Sequence, residues 1–345
     1  MKENKYEVTI GIPVYNVEEN IRLTMESALS QTFQSIEFLI CDDCGTDASI
    51  EIVKEYQANH PRGKDIRIIH QPCNMGIGAA RNRMIDEAQG AYFYSLDADD
   101  AILDTAIELL YNTAKKNNAE IVYGSYERVF QDNGITINKV PYLYPHRVFL
   151  KPDEFPEYVY NIGIQGMNWN YLIDIRVIRN NNLRVTPVGH GYGEDFTFTV
   201  DLPTYINRAV LLSEITYSYY IRGVDKHKRK KKLSRKNMDL AIQALDEKKR
   251  RKVLRDKCYY SQRISKLMLY EFSFACEMLM RKADFDNPYT NEEIRAILWH
   301  PMSLKEILLA RRGKRRNLIY YFISKMPIPI FVLLLRLLSK TYRDK

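Results

Sequence analysis

The chain is poor in cysteine, and its carboxy-terminal portion is poor in acidic residues and has no apolar run long enough for a membrane span. Five cysteines in 345 residues, an odd number, argue for reduced thiols rather than a disulfide framework. Between Ile328 and Leu335 only eight residues run uncharged before Arg336, and Pro327 and Pro329 break the preceding segment. A spanning helix needs ~20 apolar residues. The opening "MKENKYEVTI" passes through polar residues straight into a strand-like segment, without the pattern of a signal peptide. No G-x-x-x-x-G-K-[ST] occurs, which excludes a P-loop nucleotidase. These absences point to a cytoplasmic chain.

Hydrophobic content of 46% and charged content of 27% are ordinary for a soluble protein, but the charge is unevenly placed. Residues 1–225 hold 20 Lys+Arg against 31 Asp+Glu, a net of −11, whereas residues 226–345 hold 31 against 12, a net of +19. An acidic body with a basic tail made for an anionic surface fits this asymmetry, and nucleic acid and phospholipid are both candidates.

The first portion alternates strand and helix. "VTIGIPV" (Val8–Val14), "EFLIC" (Glu37–Cys41), "IRIIH" (Ile66–His70), Tyr92–Leu96 and "EIVYGSY" (Glu120–Tyr126) read as strands. Between them Ile21, Met25, Ala28 and Leu29 make one helical stripe and Ile107, Leu110 and Ala114 another. Asn16 with Glu19, and Thr105 with Glu108, have capping-box spacing before these helices. Such alternation predicts an α/β fold with a doubly wound, mostly parallel sheet.

Ligands of such sheets bind beyond the carboxyl ends of the strands. Those ends carry Pro13, Tyr15 and Asn16, then Asp42 and Asp43, then Arg81, and finally "DADD" (Asp97–Asp100) after an aromatic strand. Asp97 and Asp99 are two apart, so on extended backbone they share a side. An ordinary solvated loop accounts for such residues, but a crevice holding this set suits a nucleotide diphosphate with Mg²⁺ or Mn²⁺, which take oxygen ligands. "GIGAAR" (Gly76–Arg81) lacks the third glycine of a dinucleotide fingerprint and follows the third strand, not the first. Cys41 and Cys44 form a C-x-x-C, but two intervening aspartates oppose thiolate formation and no second pair has ligand spacing.

"VTIGIPVYNVEENIRLTMESALSQTFQSIEFLICDDCGTDASIEIV" and "NMGIGAARNRMIDEAQGAYFYSLDADD" closely resemble the opening of family 2 glycosyltransferases of GT-A fold. The resemblance is specific over about the first hundred residues and extends more loosely, through "MNWNYLIDIRVI" and "GYGEDFTFTV", to about residue 222. It implies a GT-A domain over 1–222, with a nucleotide-binding half (1–100) and an acceptor half (101–222); beyond it the family pattern thins, and 223–345 reads as a basic, mostly helical region. It also implies inverting transfer of a sugar from a nucleotide-sugar, UDP most commonly, to an acceptor hydroxyl. The "DAD" of Asp97–Asp99 takes the place of the family's D-x-D element, with Asp99 as metal ligand, Asp97 on the ribose side and Asp100 in support. Pro13, Tyr15 and Asp43 match base-pocket positions, with Asn16 beside them, and Arg81 matches one on the donor side. For Tyr15, core packing is the competing reading. Glu194-Asp195 matches the family's E-D pair, whose Asp is usually the general base. The pair could instead cap a helix, and His190 could touch acceptor or be structural. Gly163, Gly166, Gly189 and Gly191 lie around it, as expected near a ligand. Arg222, Lys226 and His227 occupy the place of a lid that reaches the diphosphate, His227 as a possible third metal ligand.

Residues 226–257 hold 15 Lys+Arg against 4 Asp+Glu without the interleaved aromatics that stack on bases. "RRGKRR" (Arg311–Arg316) precedes the apolar Leu318–Leu338 stretch, and this pairing suits a helix lying in an anionic membrane surface, with Phe331, Val332 and Leu333 entering it. A terminal helix packed on the domain is the alternative. The expected chain is thus a peripheral enzyme acting on a glycan or lipid-linked acceptor at the cytoplasmic face. A non-catalytic nucleic-acid-binding protein on a related fold is the competing class, disfavoured by the acidic first portion and both intact acidic pairs.

Overall fold

The computed structural model describes residues 5–161, 167–186, 194–222, 234–250 and 258–343. The chain begins β1 (Tyr6–Val14), α1 (Ile21–Leu29), β2 (Ile36–Asp42), α2 (Ser49–Asn59), β3 (Ile66–His70), α3 (Ile77–Glu87) and β4 (Gly90–Ser95). Then come β5 (Ala101–Ile102), α4 (Ala106–Asn117), β6 (Ile121–Asp132), β7 (Ile135–Tyr142), β8 (Arg147–Phe149) and α5 (Glu154–Asn161). β9 (Tyr171–Asp174), α6 (Ile175–Asn180), α7 (Glu194–Asp201) and β10 (Ala209–Arg222) complete the sheet-bearing part. Helices follow: α8 (Arg235–Arg250), α9 (Tyr260–Met280), α10 (Asn291–Ile297), α11 (Leu304–Leu309), α12 (Lys314–Lys325) and α13 (Ile328–Arg343).

The sheet runs β3-β2-β1-β4-β9-β6-β10-β5, with β7 on β6 and β8 on β10. β1 pairs in parallel with β2 and β4, β2 with β3, and β10 with β6. β9 is antiparallel to both β4 and β6, so β6 and β10 regain the direction of β1. The sheet is therefore mostly parallel and doubly wound, as expected. β1 and β2 are near-continuously buried because helices cover both faces. One core packs around Ile10, Ile12, Met25, Tyr94 and Leu110, and a second around Leu39, Met84, Phe93, Ile173 and Leu211.

Local expectations needed three corrections. Neither early helix has a capping box: the Asn16 side chain accepts from the Thr46 amide, and Glu108 accepts from the Thr32 hydroxyl. In each case a partner about thirty or more residues away outcompetes the helix end. Second, β6 extends to Asp132 and does not close the series, since β9 and β10 follow it. Third, Phe331 is not available to a membrane: it and Leu335 are fully buried in a third core around α9, which also takes Val200 from α7. Pro327 does separate α12 from α13, whereas Pro329 falls in the first turn of α13, and no described helix is long and apolar enough to cross a membrane.

Candidate active site

The carboxyl ends of β1, β2 and β4 and the start of α3 border a cavity of about 310 Å³. Pro13 and Tyr15 line it from β1, Asp43 from β2, Asp97 and Asp99 from β4, and Tyr219 from β10. Tyr15 is more than one-third exposed, so it faces the cavity and is not a core residue. Asn16 is not among the lining residues. It has a left-handed φ of 51° and ties its loop to Thr46 at 2.7 Å, which shapes the wall beside Tyr15.

Asp43 explains why "GIGAAR" does not act as a dinucleotide loop. Its buried carboxylate accepts from the amides of Met75 and Gly76, both at 2.9 Å. The N-terminus of α3, where a phosphate would sit, already holds an internal anion. Gly76, at φ 85°, makes the turn that presents these amides. The C-x-x-C thiols are likewise accounted for. Both cysteines are free; burial pushes the Cys41 thiol up to about 12, and the Cys44 Sγ donates to the Gln71 carbonyl.

The acidic cluster divides into three environments. Asp100 is wholly buried and accepts from the Tyr217 hydroxyl at 2.8 Å and the Tyr220 amide at 2.7 Å, tying the cluster to β10. Burial, then the charges of Asp97 and Asp99, push its carboxyl up to about 8. Desolvation and the Asp97 charge also raise the Asp99 carboxyl, although half of its side chain is exposed. Arg222 Nη1 lies 4.0 Å from Asp99, and its guanidinium rests over the Tyr220 ring. Asp97 Oδ1 accepts from Arg81 Nη2 at 2.9 Å.

Crowded carboxylates whose charge is disfavoured by their neighbours fit a hard divalent cation. Among the described residues no three His, Cys, Asp or Glu side chains are grouped to hold a metal ion. Asp97 and Asp99 can thus supply part of a coordination shell, leaving the rest to phosphate oxygens and water.

Arg81 is the residue that sequence reading placed least completely. It is buried, and while Nη2 meets Asp97, its Nη1 donates to Asp195 Oδ1 at 2.5 Å. One guanidinium joins the Asp97–Asp99 element to the acidic pair on α7, 114 residues away in sequence. Asn168 Nδ2 donates to the same Asp195 oxygen at 2.8 Å. Asn168 stands in the quoted "MNWNYL" segment, but nothing local marked it as a partner of Asp195. Trp169 beside it stacks on Tyr217 and Tyr219, with centroids 4.4 and 5.3 Å apart, and so supports the cavity wall. Glu194 opens α7 next to Asp195. His190, Lys226, His227 and the glycines Gly163, Gly166, Gly189 and Gly191 lie outside the described residues.

Known proteins resemble this chain in sequence and in fold. Residues 9–169 match the profile "Glycosyl transferase family 2". An uncharacterized glycosyltransferase of Escherichia coli K12, YibD, is 29% identical over 230 residues, which are 65% of this chain and 64% of that protein's length. Staphylococcus aureus TarS 1–349 in complex with UDP-GlcNAc superposes with a TM-score of 0.63 at 15% identity, covering 92% of this chain and 90% of that one. A Pyrobaculum calidifontis mannosyltransferase, PcManGT, in complex with GDP-Man and Mn²⁺ gives 0.53 at 12%, covering 96% and 86%. Through residues 9–169, just under half of its length, the chain is similar to glycosyl transferase family 2, and its sheet and flanking helices form the GT-A fold.

Proposed function

We propose that the chain is an inverting glycosyltransferase that moves a sugar from a nucleotide-diphosphate sugar, UDP-linked by preference, to a hydroxyl of a glycan or lipid-linked glycan. The observation that carries this reading is the Arg81 fork, which joins Asp97, on the cavity wall, to Asp195. Donor-binding and proton-accepting groups then lie close enough to act on one substrate pair. Residues 1–222 would supply this machinery, and 223–345 a supporting helical region.

In this reading Pro13 and Tyr15 face the nucleoside base and Asp97 the ribose. Asp99 and Asp97 would hold Mn²⁺ or Mg²⁺, which when bound stabilises charge on the departing diphosphate. The complex of a structural relative with Mn²⁺ supports this assignment. Arg222 stands at the same end of the sheet, where a guanidinium reaches phosphate readily. Lys226 and His227 are proposed as further lid contacts. Asp195, oriented by Arg81 and Asn168, takes the proton of the acceptor hydroxyl. That oxygen attacks the anomeric carbon, the bond from carbon to phosphate oxygen breaks, and the nucleoside diphosphate leaves from the opposite face. Glu194 adjoins the base and is proposed to help place the acceptor. A TarS complex with UDP-GlcNAc supports the choice of a UDP donor.

The test is release of nucleoside diphosphate from a panel of nucleotide-sugars, with Mn²⁺ and with EDTA. Metal-dependent release from at least one sugar is expected. No release and no ligand-induced thermal shift from any donor would overturn the reading. We further propose that the acceptor is held at the cytoplasmic face of a membrane to which the enzyme attaches peripherally.

A further inference from the structure

Residues 307–343 contain nine Lys+Arg and no Asp or Glu. α12 and α13 each turn one side inward, with Tyr320 and Ile323 on the first and Phe331 and Leu335 on the second packed in the α9 core. Their other sides are apolar too. Ile330, Leu333 and Leu337 of α13 are 47%, 57% and 55% exposed, and their spacing places them on one outward stripe. Ile319 and Phe322, three apart on α12, are 55% and 48% exposed. An ordinary packed helix buries its apolar face and wets the other; these two helices have apolar residues on both.

We infer that the outward sides of α12 and α13 form an interfacial anchor for an anionic lipid bilayer. Ile319, Phe322, Ile330, Leu333 and Leu337 enter the boundary between headgroups and acyl chains. Arg311, just before α12, and Arg315 and Arg316 in its first turn, all exposed, meet lipid phosphates. Arg312 is partly committed elsewhere, being paired with Glu157. Charge selects the bilayer over a second copy of this chain: apposing two such segments would bring together two runs that each carry nine Lys+Arg and no Asp or Glu of their own. Nucleic acid is a poorer occupant, because four of the five outward apolar side chains are aliphatic and cannot stack on bases. The helices lie on the membrane and do not cross it.

This inference rests on the reading of a membrane-held acceptor for its purpose, but its test reads binding without any nucleotide-sugar, so either can fail alone. The full chain is floated with vesicles of phosphatidylcholine, alone or mixed with phosphatidylglycerol, at low and high salt. Recovery with the mixed vesicles is expected, weakened by salt. The double variant Leu333→Glu/Leu337→Glu alters only exposed positions and should melt like wild type while losing vesicle partitioning roughly tenfold or more. Wild type remaining unbound to mixed vesicles at low salt would overturn the anchor. So would a well-folded double variant that floats as wild type does, or one whose only change in sedimentation is loss of a dimer.

Discussion

Asp99 and Asp195 sit at opposite ends of one chain of contacts, through Asp97 and Arg81, and are expected to fail differently. Asp99 is half exposed to the cavity, so an amide there should leave the fold intact. Asn is a poorer ligand than a carboxylate for a hard cation. Asp99→Asn is therefore expected to abolish Mn²⁺-dependent binding of UDP in calorimetry, with an unchanged melting temperature. At Asp195 an amide oxygen still accepts from Arg81 and Asn168, so geometry survives while basicity is lost. Asp195→Asn should keep donor affinity and lower the transfer rate about 10²-fold or more, the usual scale for removing a general base. Near wild-type kcat would move the role to Glu194 or His190.

At the scale of elements, α7 links the candidate base to the basic helical region. Asp195 lies in its first turn and Asp201 ends it, ~9 Å further along a helix of 1.5 Å rise per residue. Asp201 is buried, and its two oxygens meet Lys248 Nζ of α8 at 2.6 Å and Arg263 Nη1 of α9 at 3.2 Å. Val200 packs into the third core, so both the charged and the apolar contacts of this helix end come from the carboxy-terminal helices. Removing one partner of a buried ion cluster costs about 3–5 kcal/mol. Lys248→Met should destabilise on that scale in chemical denaturation and, by loosening α7, lower kcat while the donor KM changes little. Equal loss in kcat and donor binding would mean that the cluster supports the whole body rather than α7.

For the whole molecule, stability should carry a pH dependence that originates far from the cavity. Glu271 is fully buried beside Lys249 Nζ at 2.9 Å, and burial, outweighing that lysine, pushes its carboxyl up to about 7 from an ordinary 4.5. Between those values the folded chain holds this proton more tightly than the unfolded chain does. Stability from this group therefore falls as pH rises through the window, and is flat above it. His300 opposes it: burial lowers its pKa from 6.5, so its contribution falls as pH drops below 6.5. The difference between wild type and Glu271→Gln isolates the first effect. Denaturation between about pH 5 and pH 8 should show the variant gaining on wild type as pH rises, by on the order of 2–3 kcal/mol. Lys249 keeps Asp246 as a partner at 2.7 Å, so the variant leaves no lone buried cation. Parallel pH profiles would place the titration elsewhere.

β1 through β4, their helices and the Asp97–Asp99 element were legible without coordinates, because apolar periodicity and the residues at strand ends are local properties. The placement of Pro13, Tyr15 and Asp99 along one cavity follows from that, since every parallel strand delivers its carboxyl end to the same edge. β9 was not legible: "YLID" is too short to show a period, and it is a strand because β4 and β6 pair with it on either side. The roles of Asn16 and Glu108 were misread for the same reason, since distant donors claimed the oxygens that local spacing had assigned to helix caps. Arg81 was visible as one of the residues converging on the strand ends, but its second partner was not, nor were Asn168 or the Lys248–Asp201–Arg263 cluster. Those contacts join residues tens to more than a hundred positions apart. Which of them meet is set by strand order and helix packing, and a buried charge has no local sequence mark until the fold decides what lies against it.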